Sequence, residues 1–184
     1  MNNRISKLLI LGIVSVSIAL LGCKKNETVK NNFTFNGSKS ILSYCALDYK
    51  GVTTHIPLTF NYELLLATSG ISYDETSKEY TGIGNTIKLR LYSADPLDML
   101  PGLYTFDAFS SKDSLTVDLG SININYNFAT GVSDETNSFK NGIIDVSRRG
   151  NIYNLEFEFY TNDDIPIKGF YNGQIEIHDA LIKK

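Results

Sequence analysis

Two histidines and a pair of glutamates are the residues of this 184-residue chain whose types first suggest chemistry. His55 and His178 are the only histidines, and two imidazoles can ligate a metal or serve as axial ligands of a haem iron. Alternation along the predicted strands places both on polar faces, and their spacing does not bring them together. Ordinary surface histidines are therefore the favoured interpretation.

Glu156 and Glu158 lie two residues apart in a predicted strand, so their carboxyl groups share one face about 6.8 Å apart along the strand. This is close to the separation of the two carboxyl groups in glycoside hydrolases. An acidic pair on a solvated strand is more commonly only a surface feature, and we predict no catalytic role for it. Asp163-Asp164 is typical of a turn.

The other reactive residue types favour structural roles. Cys45 lies among apolar neighbours, which predicts a buried, inert thiol rather than a nucleophile, and the chain has no Gly-x-Ser-x-Gly motif. Asp74-Glu75 lacks the alternating oxygen ligands and the glycine of an EF-hand calcium loop. We therefore predict no catalytic residue, no metal site and no cofactor.

A polar and aromatic surface is the remaining feature that favours recognition. Tyr92 and Tyr160 are predicted to face outward, together with three asparagines (Asn123, Asn125 and Asn127). Aromatic rings with one polar end suit wet binding surfaces, so this set could contact a sugar or a protein. Ordinary strand surface chemistry explains the same pattern, and the ligand-binding residues stay unassigned.

The elements that position these residues are strands, because apolar and polar residues alternate with a period of two. No segment keeps a period of 3.6 residues for three turns. We predict an all-β fold: an antiparallel, jelly-roll-like β-sandwich of nine or ten strands, with a calycin-like β-barrel as the alternative. Pro57 is expected to start its strand, residues 55–67, at an edge or a bulge. Residues 69–84 and 129–141 are predicted as loops.

Two basic residues, Arg4 and Lys7, precede an uncharged apolar run over residues 8–21, which is the layout of a secretory signal. The run is shorter than the roughly 20 residues that cross a bilayer as a helix. It closes with Leu20-Leu-Gly-Cys23, which resembles the lipobox of bacterial lipoproteins. The resemblance implies that a diacylglyceryl group is added to Cys23, that the chain is cut just before it, and that the new N-terminus is acylated.

The predicted organisation is a signal peptide over residues 1–22, a lipidated tether over residues 23–31, and one all-β domain over residues 32–184. Two or three acyl chains anchor stably, because each buried CH₂ contributes about 0.8 kcal/mol. Lys24 stands where an Asp would retain a lipoprotein in the inner membrane, so the resemblance implies the outer membrane. Whether the domain faces the periplasm or the cell exterior stays open.

A second resemblance lies in the C-terminal third. Residues 142–157 (Gly-Ile-Ile-Asp-Val-Ser-Arg-Arg-Gly-Asn-Ile-Tyr-Asn-Leu-Glu-Phe) and 167–175 are similar to the C-terminal hairpins of uncharacterised Bacteroidota-type envelope lipoproteins. Residues 101–106 are similar to a strand start in the same group. The resemblance implies β-hairpins and the cell envelope, and it carries no catalytic residue. Asp113-Ser114-Leu115 resembles the O-glycosylation signal of that group, which makes Ser114 a candidate glycosylation site.

Composition narrows the function further. Removing residues 1–22, which hold two basic and no acidic residues, leaves 15 basic against 20 acidic residues, a net charge of −5. This scattered acidity argues against nucleic acid as a partner. We expect a non-catalytic binding or interaction module, held at the membrane through Cys23, with a protein or glycan ligand. The alternatives are a glycan hydrolase whose carboxylates meet only in the fold, and a purely structural envelope component.

Overall fold

The structure is a computed structural model that describes residues 30–54 and 56–178. These residues form twelve strands and no helix. The strands are β1 (Asn32–Phe35), β2 (Ser38–Ile41), β3 (Tyr44–Val52), β4 (Phe60–Ala67), β5 (Ile71–Asp74), β6 (Glu79–Ser93), β7 (Gly102–Phe106), β8 (Thr116–Asn127), β9 (Glu135–Arg149), β10 (Ile152–Thr161), β11 (Pro166–Gly173) and β12 (Glu176–His178). The predicted all-β class is confirmed.

Several predictions concern residues outside the described ranges. The predicted signal peptide, Cys23 and most of the tether precede residue 30, and His55 separates the two ranges. Within the described ranges, no helix is long and apolar enough to cross a bilayer.

The strands form one curled sheet in the order β12-β3-β4-β6-β8-β7-β9-β10-β11-β1-β2, to which β5 adds by pairing with β6. Most pairs are antiparallel, but β12 lies parallel to β3 and β7 lies parallel to β8. The sheet is therefore mixed and has more strands than the nine or ten antiparallel ones predicted. β7 and β8 are parallel because the loop over residues 107–115 brings the chain back to the side of β7 before β8 starts. β12 follows β11 and pairs with the free edge of β3.

The main core lies inside the curl, where the inward faces of the strands meet. Tyr62, Leu64 and Leu66 of β4 are fully buried, as the alternation predicts. Burying such side chains stabilises the fold by about 1.5–3 kcal/mol each. The period of two also predicts the inward faces of the C-terminal strands, and eight of those residues are buried: Ile144, Val146, Tyr153, Leu155, Phe157, Phe159, Ile167 and Tyr171. Ile177, on the same predicted face, is 39% exposed.

Two glycines allow aromatic rings to lie flat across the bent sheet. A Cβ on Gly169 would lie 2.2 Å from Cζ of Phe157, its partner on β10. A Cβ on Gly142 would lie 2.3 Å from Cδ1 of Phe159, and Gly142 has a φ of +146° that favours glycine. The close approach at Gly169 is therefore made by a ring of the paired strand rather than by another sheet.

Strand β4 begins later than predicted. The period of two places Ile56 and Leu58 on the inward face of the predicted strand over residues 55–67, but they are 91% and 56% exposed. Pro57 has no N–H to donate to a ladder. The Thr53 N–H donates to the Thr59 carbonyl, which joins the end of β3 to the residue before β4.

Two regions predicted as loops contribute strands. Within residues 69–84, β5 and the first part of β6 form a hairpin whose turn is capped by the Asp74 carboxylate, which accepts two backbone N–H groups. Within residues 129–141, β9 begins at Glu135 and pairs with the end of β8. Both segments are largely exposed, so their polar composition conceals the period of two.

A bulge in β8 reverses its alternation. Asn125 has a φ of +52°, and the register with β6 shifts at the same place. Beyond it, Tyr126 and Phe128 lie on the outer face, where the Lys88 ammonium is 4.4 Å and 4.9 Å from their ring centroids. One inserted residue exchanges the faces of all residues that follow it.

Candidate functional site

A concavity of about 610 Å³ lies on the outer face of β7, β9, β10 and β11. We call it the outer groove, and it is open to solvent. Its side chains are Leu103, Ile143, Asp145, Glu156, Glu158, Lys168 and Phe170.

Four of these side chains form a straight row across four neighbouring strands. Leu103 lies opposite Asp145 on the next strand, and Asp145 lies opposite Glu156. Glu156 in turn lies opposite Phe170. With about 4.8 Å between strands, the row spans roughly 14 Å. It presents an apolar group, two carboxylates and a second apolar group.

The two carboxylates of the row lie on directly opposed residues of β9 and β10. Asp145 and Glu156 are exposed, and within the described residues neither carboxylate forms an ion pair or a side-chain hydrogen bond. Like charges directly opposite each other destabilise a sheet. A cation bound between them would relieve this repulsion.

The third carboxylate of the groove is already neutralised. The Tyr160 hydroxyl donates to Glu158, and the Lys168 ammonium lies 2.9 Å from the same carboxylate. These contacts hold the pKa of Glu158 below its usual value, and the carboxylate raises the pKa of Lys168. The net negative charge of the groove therefore comes from Asp145 and Glu156.

The comparisons with known proteins give no relative from which a role could be transferred. No family model, no curated protein and no solved structure matches the chain. The role of the outer groove therefore has to be inferred from its own chemistry.

His178 lies in a second polar cluster, on the outer face of β12 and β3. Its Nδ1 lies 3.0 Å from Asp48 Oδ1, and its Nε2 lies 3.5 Å from Glu176 Oε2. The Tyr73 ring stacks on the imidazole at 3.6 Å between centroids. His178 is only 6% exposed, so it is not the surface histidine that was predicted. It lies on the outer face, where the alternation placed it, but Tyr73 of β5 and Tyr80 of β6 cover it there.

The contacts around His178 favour a structural tie over a ligand site. Tyr80 donates to Asp48 at 2.7 Å and Tyr44 donates to Glu176 at 2.6 Å. Burial and the hydrogen bond to Asp48 raise the pKa of Tyr80 well above its usual value, so it remains a donor. Both imidazole nitrogens face carboxylates. In the described ranges, no group of three or more His, Cys, Asp or Glu residues could hold a metal ion.

Tyr92 lies on the face predicted for it but is covered by the loop over residues 107–115. It is 2% exposed and donates to Asp118 at 2.9 Å. Arg90 contacts both oxygens of the same carboxylate at 2.6 Å and 2.7 Å, and Ser110 donates to it from the loop. This buried network fastens the loop to the sheet, so Tyr92 cannot contact a ligand.

The other members of the predicted polar-aromatic surface are dispersed. Tyr160 is half-buried beside the outer groove, bonded to Glu158. Asn123 is 6% exposed and donates to Thr86. Asn125 is in the bulge of β8, and Asn127 lies at the end of that strand. The predicted surface is therefore not formed as one site.

Cys45 and Ser114 occupy different environments. Cys45 is 2% exposed, as predicted, and burial raises the pKa of its thiol, which disfavours the reactive thiolate. Ser114 is half-buried in a turn, where its Oγ accepts a hydrogen bond from the Ala94 N–H at 3.1 Å. Glycosylation at Ser114 stays a prediction.

The sequence analysis singled out Glu156 and Glu158, but it did not predict the row of residues from other strands in which Glu156 lies. Leu103, Asp145 and Phe170 come from three other strands, and only the register brings them into line. The only sequence feature that pointed to the row was Asp145, an acidic residue between the buried Ile144 and Val146 of β9.

Proposed function

We propose that this chain is a lipid-anchored protein of the bacterial outer membrane whose β domain binds, without catalysis, a cationic ligand with apolar groups. The binding site in this proposal is the outer groove. The row of Leu103, Asp145, Glu156 and Phe170 is the observation that carries the ligand class. The lipobox ending in Cys23 carries the anchor.

The chemistry of the row defines what would fit it. A positive group between Asp145 and Glu156 would form two ion pairs, each contributing about 0.2–1 kcal/mol at this exposed site. Leu103, 51% exposed, and Phe170 flank the acids and would cover apolar parts of the ligand. A short cationic amphipathic peptide has this distribution of charge and apolar surface over the roughly 14 Å of the row.

A glycan hydrolase is the second function, because three carboxyl groups do meet in one concavity. Such an enzyme needs one carboxyl whose pKa is raised so that it can act as the general acid. Glu158 is shifted in the opposite direction by Tyr160 and Lys168. This difference favours binding over hydrolysis.

A calorimetric titration tests the proposal. The full lipidated chain, in neutral nanodiscs, is titrated with an acetylated, amidated Leu-Lys-Leu-Lys-Leu peptide, and empty nanodiscs provide the blank. We expect saturable binding that weakens with added salt, and no binding of the Leu-Gln-Leu-Gln-Leu counterpart. Equal binding of both peptides, or release of sugars from an envelope glycan preparation, would contradict the proposal.

A further inference from the structure

The outer groove lies beside the point where the chain enters the domain. Asn32, the first residue of β1, lies opposite Phe170 of β11, which is the last member of the row. Asn32 therefore extends the row by one strand, on the side from which the tether arrives. At about 4.8 Å between strands, its Cα is roughly 10 Å from that of Glu156 and roughly 14 Å from that of Asp145.

Hydrogen bonds fix the position at which the tether meets the sheet. The Asn172 N–H donates to Asn31 Oδ1 at 2.7 Å, and Asn31 Nδ2 donates to the Asn172 carbonyl at 3.1 Å. On its other side, the Asn31 carbonyl accepts the Leu42 N–H at 3.0 Å. Lys30, directly before Asn31, is exposed. The tether therefore starts from a fixed point close to the outer groove.

The tether and the outer groove carry opposite charges. The charged side chains of the tether are three lysines and one glutamate, which give it a net charge of +2: Lys24, Lys25, Lys30 and Glu27. The unpaired charges of the groove are the two carboxylates of the row. Val29 adds an apolar side chain to the tether. The tether thus has the composition of the ligand proposed for the groove, which combines cations with an apolar group.

The tether is long enough to bring its lysines onto the row. Lys25 is six residue steps from Asn31 and can lie up to roughly 20 Å from it. Both carboxylates of the row are within this radius, so the domain itself need not change for the contact to form. A cation attached through so short a segment has an effective concentration on the order of millimolar, which favours ion pairs that are weak between separate molecules.

We propose that the tether occupies the outer groove of its own chain, with Lys24 and Lys25 beside Asp145 and Glu156, and that an external ligand has to displace it. This inference rests on the proposed function, because the tether competes for the same row. Competition lowers the apparent affinity for the ligand in proportion to the fraction of chains whose groove is open. A ligand with a single cation forms fewer ion pairs than the tether, so the groove selects ligands with several.

Titration with the Leu-Lys-Leu-Lys-Leu peptide tests the competition. The full lipidated chain with Lys24→Gln and Lys25→Gln, in neutral nanodiscs, is compared with the parent chain. The matched control carries Lys39→Gln and Lys112→Gln, which remove two exposed lysines outside the tether and the groove. We expect the tether variant to bind the peptide about threefold to tenfold more tightly at low salt, and the control to bind like the parent chain. The difference should disappear in 0.5 M salt.

Carbodiimide cross-linking locates the docked lysines. The reagent joins an amine to a carboxylate where the two are in contact, and mass spectrometry of the digested monomer identifies the joined residues. We expect links from Lys24 or Lys25 to Asp145 or Glu156, and we expect excess peptide to remove them. Links from the tether to acids outside the row, with none to the row, would overturn the inference.

The two experiments separate failure of this inference from failure of the proposed function. If the parent chain and the tether variant bind the peptide with equal affinity, the tether does not compete, and the proposed function stands without it. If no chain binds the peptide, the proposed function is wrong and the inference falls with it.

Discussion

Asp48 Oδ1 lies 3.0 Å from His178 Nδ1 and so joins β12 to β3, the strand on which it depends for pairing. Both residues are 6% exposed. β12 has only three residues, so this side-chain contact supplements a short ladder in holding the strand in place.

Removing the imidazole should destabilise the domain. His178→Ala leaves the Asp48 carboxylate with one donor fewer in a buried site, which costs about 1–3 kcal/mol. Urea unfolding followed by circular dichroism measures this loss. Glu176→Gln is the control, because Glu176 is exposed and its amide oxygen still accepts from Tyr44, so its midpoint should barely change. Equal midpoints for both variants would argue against the tie.

Acid should weaken the domain partly through Asp118. Burial raises the pKa of this carboxyl, but hydrogen bonds from Arg90, Ser110 and Tyr92 outweigh it and leave the pKa lowered. Its stabilising contribution is therefore complete above the unfolded value of about 3.9 and is lost as pH falls through the folded value. Asp118→Asn should lower stability at pH 7 and flatten its decline below about pH 4. An unchanged slope in urea midpoints against pH would contradict this assignment.

The acidic pair of the outer groove should cost stability in the absence of ligand. Glu156→Gln removes the repulsion from Asp145 and should raise the free energy of unfolding by a few tenths of a kcal/mol. Thermal unfolding at low salt shows the gain, and 0.5 M salt should remove it. A loss of stability would mean that Glu156 contributes to the fold.

The sequence predicted the inward faces well where alternation is unbroken. Tyr153, Leu155 and Phe157 are buried as expected because β10 lies in the middle of the sheet. It failed at the bulge of Asn125, which changes the face of the residues after it, and at His178, which β5 and β6 cover. Both depend on strand pairings that no single segment encodes.

The second limit of the sequence-based prediction was that other parts of the chain cover residues whose face was predicted correctly. Tyr92 was placed on the correct face, but a loop ending more than twenty residues later covers it through Asp118. The outer groove was not predicted because the register between strands decides which residues become neighbours. The local sequence predicts the strands and the face that each residue occupies. It does not predict which residues from distant parts of the chain come into contact.

Intact-mass analysis of the protein from its native membrane tests the modifications. We expect a chain that begins at Cys23 and carries a diacylglyceryl group and an added acyl chain. Cys23→Ser should abolish both the lipid and the membrane association. A Cys23 without lipid would contradict the anchor. Hexose units lost in Ser114→Ala would support the glycosylation signal, and a native mass without hexose would end that prediction.

The most direct test of the binding proposal is the peptide titration repeated on a groove variant. Asp145→Asn with Glu156→Gln removes both charges of the row, and Asp163→Asn with Asp164→Asn removes two charges from an exposed turn. The groove variant should bind the Leu-Lys-Leu-Lys-Leu peptide at least about tenfold more weakly, a loss of about 1.4 kcal/mol, while the turn variant binds like the parent chain. Equal affinities for all three chains would show that the row of Leu103, Asp145, Glu156 and Phe170 is not the binding site.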